Sequence, residues 1–145
     1  MKIEKITDYI SVAIIIFILI TWAYSGLLKP YRVVISDSME PTIHKGDIVY
    51  IVKVRGELHK GDIVLYERPD FPEPILHRIV DVKITTVNNQ EIKCYVIKGD
   101  NNSVVDPPYP IAPGKTIDCV PENAIIGKEV FRIPYVGKIF FWMFD

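Results

Sequence analysis

Three kinds of residue in this chain have the chemistry for acyl transfer: a serine at a strand end, a histidine inside a strand, and two aspartates in a turn-rich stretch. Ser36-Asp37-Ser38-Met39-Glu40-Pro41 follows a β-branched run and enters a Met-x-Pro turn. A hydroxyl there can be both exposed and held, although serines at strand ends are mostly plain turn residues. A serine hydroxyl is a weak nucleophile and needs an adjacent base. Of the three histidines, His44 and His59 lie beside lysines in polar, turn-rich sequence and read as solvated surface residues. His77 lies inside the apolar run Ile75-Leu76-His77-Arg78-Ile79-Val80. A neutral imidazole suits a general base at working pH; the plainer alternative is a sheet-face histidine with no part in chemistry. The segment from Lys98 to Asp106 carries Asp100 and Asp106, six residues apart. Either could orient an imidazole and stabilise its cationic form.

Positioning these groups falls to short strands. Tyr31–Ser36, Asp47–Val54, Asp62–Glu67, Ile75–Val87, Gln90–Lys98 and Ala124–Ile133 are rich in β-branched and apolar residues, and glycine and proline punctuate them. Asn88-Asn89 between two strand-like runs predicts a tight hairpin. Lys-Gly-Asp-Ile-Val occurs at 45–49 and again at 60–64, which reads as a turn feeding a strand. The stretch from Asp106 to Gly114 carries four prolines and is expected to be a surface loop. No helical periodicity of useful length follows residue 28, so the soluble part is expected to be nearly all antiparallel β.

The exception is the N-terminus. From Tyr9 to Leu28 there are 20 residues without a charge. At about 1.5 Å per residue a helix of that length crosses a hydrocarbon core of roughly 30 Å. Tyr9, Trp22 and Tyr24 lie near its ends, as interfacial aromatics do. A cleavable leader would have a shorter apolar core and a better small-residue cut site than Tyr24-Ser25-Gly26. The expected organisation is therefore a short tail over 1–8, a transmembrane anchor over 9–28 and a β-rich domain over 29–145. Lys2 and Lys5 precede the segment and Lys29 and Arg32 follow it, so charge leaves its orientation open. The aromatic tail Ile139–Phe144 is too short to span and either packs in the core or lies on a bilayer surface.

Composition narrows the partners. The net charge is −1 with no basic stripe, which argues against nucleic acid. Cys94 and Cys119 lie in no CxxC pair; they are two buried thiols or one bridge in an oxidising compartment. No metal cluster or nucleotide loop is visible, so no cofactor is expected; Glu40, Asp47 and Asp62 read as turn and surface carboxylates.

The segments carrying these groups together resemble the type I signal peptidase family. Ser36–Thr42 resembles its nucleophile box, Gly61–Leu65 the strand box after it, His77–Val80 the base-bearing strand, and Gly99–Asn102 with Asp106 the final acidic box. Bacterial members carry a lysine base, and His77 at that position resembles the archaeal and endoplasmic-reticulum branch. The resemblance implies an antiparallel β catalytic domain and a serine endopeptidase that cuts signal peptides from exported preproteins after small-x-small sites. It implies Ser38 as nucleophile, His77 as base and Asp106 as third catalytic residue, with Ser36 and Asp100 supporting. Val33, Val34, Ile35 and Leu76 are expected to line the shallow substrate pockets. The implied partners are preproteins, the bilayer and further signal peptidase subunits, with the catalytic domain on the exported side of a cell membrane. Ser38 is ten residues beyond Leu28, and a chain covers at most about 3.6 Å per residue, so the nucleophile stays near the bilayer. Two other readings fit less well. Self-cleaving repressors have a related β fold but a lysine base and no anchor, and an inert tethered β module would not need a candidate for every catalytic role.

Overall fold

A computed structural model describes the backbone of residues 2–28 and 30–136, and side chains over 9–22 and 30–136. The aromatic tail Ile139–Phe144 lies outside the described residues. The chain divides into two units, Met1–Tyr31 and Arg32–Asp145. The first is helix α1, Lys2–Leu28, so residues 2–8 are helical along with the apolar run. From Tyr9 to Trp22 its apolar side chains are exposed all round. Among the described residues no helix is long and apolar enough to cross a membrane.

The second unit is mainly β. Its strands are β1 (Tyr31–Val33), β2 (Ile48–Val52), β3 (Ile63–Tyr66), β4 (Ile75–Val87), β5 (Gln90–Lys98), β6 (Tyr109–Ala112), β7 (Lys115–Ile117), β8 (Val120–Pro121) and β9 (Ile125–Ile133). Seven form one sheet in the order β1-β2-β9-β3-β4-β5-β8, and β6 and β7 form a separate ribbon. The ladders β2–β9, β9–β3, β3–β4, β4–β5 and β5–β8 are antiparallel. Asn88 and Asn89 join β4 to β5 with φ of 51° and 63°. Two successive positive φ values match the right-handed twist of a two-residue hairpin, and asparagine tolerates them.

The duplicated turn is visible as geometry. In His44-Lys45-Gly46-Asp47 the Asp47 carboxylate accepts from the His44 amide at 2.9 Å, and the Asp47 amide donates to the His44 carbonyl at 3.0 Å. His59-Lys60-Gly61-Asp62 repeats both bonds at 3.0 and 3.1 Å. The third residue needs positive φ, 91° at Gly46 and 99° at Gly61, which glycine adopts without strain. Each turn launches a sheet strand, β2 or β3.

Alternation along β3 and β4 builds two cores. Ile63 and Leu65 bury with Val34, Met39, Ile43, Val49 and Ile51, and Leu76 packs against them. Val64 and Tyr66 face the other way, with Leu58, Ile79, Tyr95, Ile97 and Val120. Cys94 on β5 and Cys119 just before β8 form a disulfide. The proline-rich stretch is only partly loop: Tyr109–Ala112 pairs with Lys115–Ile117. A two-stranded ribbon has a free edge on each strand, so Pro110 and its missing N–H are tolerated there.

Candidate active site

Ser38 follows β1 in a tight turn that two buried residues pin down. Met39 and Ile43 sink into the first core at 1% and 0% exposure, leaving Ser38 half-buried above them. The turn closes through Glu40 N–H to Asp37 O at 3.1 Å and Ile43 N–H to Met39 O at 2.9 Å, and the Glu40–Pro41 peptide is cis.

His77 is on β4 directly opposite Val64 of β3, on the face of the second core, and is buried. Its Nε2 lies 2.9 Å from Ser38 Oγ. Its Nδ1 lies 2.9 and 2.8 Å from the two carboxylate oxygens of Asp106. Both side chains of that second pair are nearly shut off from water, at 9% and 8% exposure. The line Ser38–His77–Asp106 therefore runs from a partly open hydroxyl into a dry interior, where a carboxylate–imidazolium attraction is little screened.

The other acid has a different partner. Asp100 takes a two-point bond from Arg78, Nε at 2.8 Å and Nη2 at 2.7 Å, while Arg78 Nη1 reaches Gly61 O at 2.9 Å. Arg78 points to the opposite face of β4 from His77. Its guanidinium holds the Asp100 carboxyl below the usual carboxylate range. Asp100 thus fastens the turn after β5 to the sheet and leaves the imidazole to Asp106. That turn in turn grips the serine: Asn101 N–H donates to Ser38 O at 2.9 Å, and Asn101 Nδ2 to Asp37 O at 3.2 Å.

Ser36 Oγ stands 3.2 Å from Ser38 Oγ. The four expected pocket residues separate. Val33 and Ile35 are exposed at 41% and 62%, whereas Val34 is buried between them in sequence. Val34 belongs to the first core and Leu76 packs against that core. Extended backbone alternates its faces, so Val34 cannot share a surface with its two neighbours. His44 is half-exposed beside Asp47 and Tyr135, and His59 is at the surface. An open cavity of about 790 Å³ lies at the hairpin end, lined by Val87, Ile92, Tyr109 and Pro121 among others, and includes none of the residues above.

Several contacting residues give no sequence signal of their own. Tyr66, fully buried on β3, donates its hydroxyl to Asp106 Oδ2 at 2.7 Å. Arg68, also buried, donates to Pro107 O at 2.7 Å and Pro108 O at 3.1 Å while Asp70 holds it from the other side. Gly99 passes so close to Ser38 and His77 that a Cβ would stand 2.6 Å from Ser38 O and 2.9 Å from His77 Nε2. The one usable clue was general: a buried tyrosine hydroxyl or guanidinium needs a partner.

This arrangement suits acyl transfer: a hydroxyl against one imidazole nitrogen, the other nitrogen against a buried carboxyl group, and a second hydroxyl beside the first. The family model described as signal peptidase, peptidase S26, matches residues 6–109. The signal peptidase complex catalytic subunit sec11 of Schizosaccharomyces pombe is 35% identical over 136 residues, covering 81% of this chain and 68% of that protein. The subunit SEC11 of Lachancea thermotolerans is 35% identical over 116 residues, covering 79% and 66%. Human SEC11C is 32% identical over 122 residues, covering 83% and 60%. The chain thus spans about two thirds of the length of the yeast relatives and three fifths of the human one. With a family model matched over most of its length and relatives above 30% identity, the chain belongs to the signal peptidase family, peptidase S26, in the branch of the endoplasmic-reticulum type.

Proposed function

We propose that this chain is a membrane-tethered serine endopeptidase that removes N-terminal signal peptides from exported preproteins. The observation that carries the reading is the short run of contacts from Ser38 Oγ through both nitrogens of His77 to Asp106. Ser38 attacks the scissile carbonyl as His77 Nε2 takes its proton; His77 then returns that proton to the leaving amine. Water enters by the same route in reverse and frees the acyl group. Asp106 holds the tautomer with the proton on Nδ1 and stabilises the imidazolium. The Ser38 amide and the Ser36 hydroxyl donate to the developing oxyanion, and losing one such donor typically costs about 2.7–4 kcal/mol of barrier. Asp100 supports the site through Arg78 and the turn that holds Ser38.

The substrate is an extended segment after a hydrophobic helix, with small residues at the first and third positions before the cut. It pairs with a strand edge, which gives affinity with little demand on sequence. Val33 and Ile35 are the exposed apolar residues next to the nucleophile that meet it.

Residues 9–28 are the anchor. Twenty uncharged residues in sequence, with apolar side chains exposed on every side over 9–22, suit hydrocarbon and not water. The domain over 29–145 faces the exported side, because the Cys94–Cys119 bridge needs an oxidising compartment. The relatives are named as catalytic subunits of a complex, and further subunits are proposed as partners here too.

The test is cleavage of a secretory precursor in detergent micelles by wild type, Ser38→Ala and His77→Ala. Wild type should cut after a small-x-small site, and each variant should lose at least about 10³-fold in kcat. Unchanged rates in both variants would sink the proposal.

A further inference from the structure

We infer that Tyr66 is a positioning residue for the peptidase reaction, acting on His77 through Asp106. The inference rests on the Ser38–His77–Asp106 reading and adds a fourth member to it. Asp106 presents both oxygens to one ring nitrogen, at 2.9 and 2.8 Å. A single N–H cannot fix a carboxylate that it meets so evenly, because the group can rock about its own axis and keep either bond. A second donor from another direction removes that freedom. Tyr66 supplies it at 2.7 Å to Oδ2, a full-strength hydrogen bond for a hydroxyl donor.

A neighbouring residue argues against simple core filling. Tyr95 lies in the same buried cluster at the same 0% exposure, yet its hydroxyl has no hydrogen-bond partner among the described residues. Burial alone therefore does not bring a tyrosine hydroxyl a partner in this core. Tyr66 is also a constant donor: burial and the facing carboxylate push its ionisation well above the ordinary range for tyrosine.

The segment just beyond Tyr66 holds the rest of the acid's loop as well. Pro107 and Pro108 have no N–H and cannot tie that loop to the sheet. Arg68, two residues beyond Tyr66, bonds both of their carbonyls, and the Asp106 amide donates to Ile97 O at 2.9 Å. Asp106 is thus fixed at its backbone by β5 and at its side chain by Tyr66, so the carboxylate has one place to stand.

The test is a double-mutant cycle in the full-length protein, with Tyr66→Phe, Asp106→Asn and the combination, measured by single-turnover precursor cleavage in micelles. Phenylalanine keeps the ring that fills the core. Tyr66→Phe should lower kcat about tenfold with KM unchanged, and should cost little more when added to Asp106→Asn. A wild-type kcat in Tyr66→Phe, with Asp106→Asn impaired, overturns the role of Tyr66 alone. Losses that multiply in the double variant also overturn it, since Tyr66 would then act on something other than Asp106. A wild-type rate in Asp106→Asn overturns the reading beneath. If the double variant is too slow to follow, the His77 Nδ1 proton resonance decides: it shifts in Tyr66→Phe if Tyr66 sets the carboxylate, and an unmoved resonance overturns the role.

Discussion

At the scale of single residues the site is governed by close approach. Gly99 needs to be glycine because of what surrounds it. A methyl group there would meet Ser38 O at 2.6 Å, Asn102 Nδ2 at 2.8 Å and His77 Nε2 at 2.9 Å. Either the backbone of the serine turn or the imidazole has to move, and a shift of that size in a reacting pair costs about 10²-fold. Gly99→Ala is expected to lower kcat by about that factor or more while circular dichroism and melting stay near wild type. Asp100 has a different signature. Arg78 lowers its folded pKa below the unfolded one. Its contribution is therefore full above the unfolded value of about 3.9 and is lost as pH falls through the folded value. Asp100→Asn should destabilise by about 1 kcal/mol at pH 7, and melting curves of the two proteins should converge as pH drops below about 4. Residue types and family order single out Ser38, His77 and Asp106, and the fold brings the three side chains within hydrogen-bond reach. Residue types alone leave the two acids interchangeable and only the resemblance separates them, because the difference lies in which face of β4 each of Arg78 and His77 takes. Tyr66 and Tyr95 look alike in sequence, each an aromatic in an apolar strand, and only the folded sheet sets one against a carboxylate.

At the scale of elements, strand content followed from β-branching and turn chemistry. Asn88-Asn89, the twin His-Lys-Gly-Asp turns and the ends of β4 and β5 all stand where local signals put them. The β6–β7 ribbon was hidden because prolines that usually forbid strands are harmless at a free edge. Val34 was misjudged with Val33 and Ile35 because a β-branched run shows no polar alternation to mark its inner face. The disulfide closes a loop with a sequence separation of 25 that contains Asp106. By chain entropy such a loop is worth about 3–4 kcal/mol. Replacing Cys94 and Cys119 together by alanine should lower the melting temperature of the β domain by roughly 10 °C or more. Reductant should do the same to wild type and nothing to the double variant.

At the scale of the whole molecule, the proposed anchor over 9–28 would hold the chain in a membrane. A lysine or arginine at the centre of a spanning helix costs about 2.5–3.5 kcal/mol. Ile15→Arg combined with Ile18→Arg should release the full chain from membranes into the alkaline-carbonate supernatant, whereas wild type stays in the pellet. The order of the strands was not readable, because β9 enters the sheet between β2 and β3, far from it in sequence. That insertion has a consequence in time. The edge that leads to Ser38 and the strand that carries His77 share no ladder until residues 125–133 are in place. A chain made from its N-terminus has Ser38, His77 and Asp106 before it has the strand that joins the two parts of the sheet. A nascent copy therefore holds Ser38 and His77 on separate pieces, and the two are joined through one sheet only when residues 125–133 arrive.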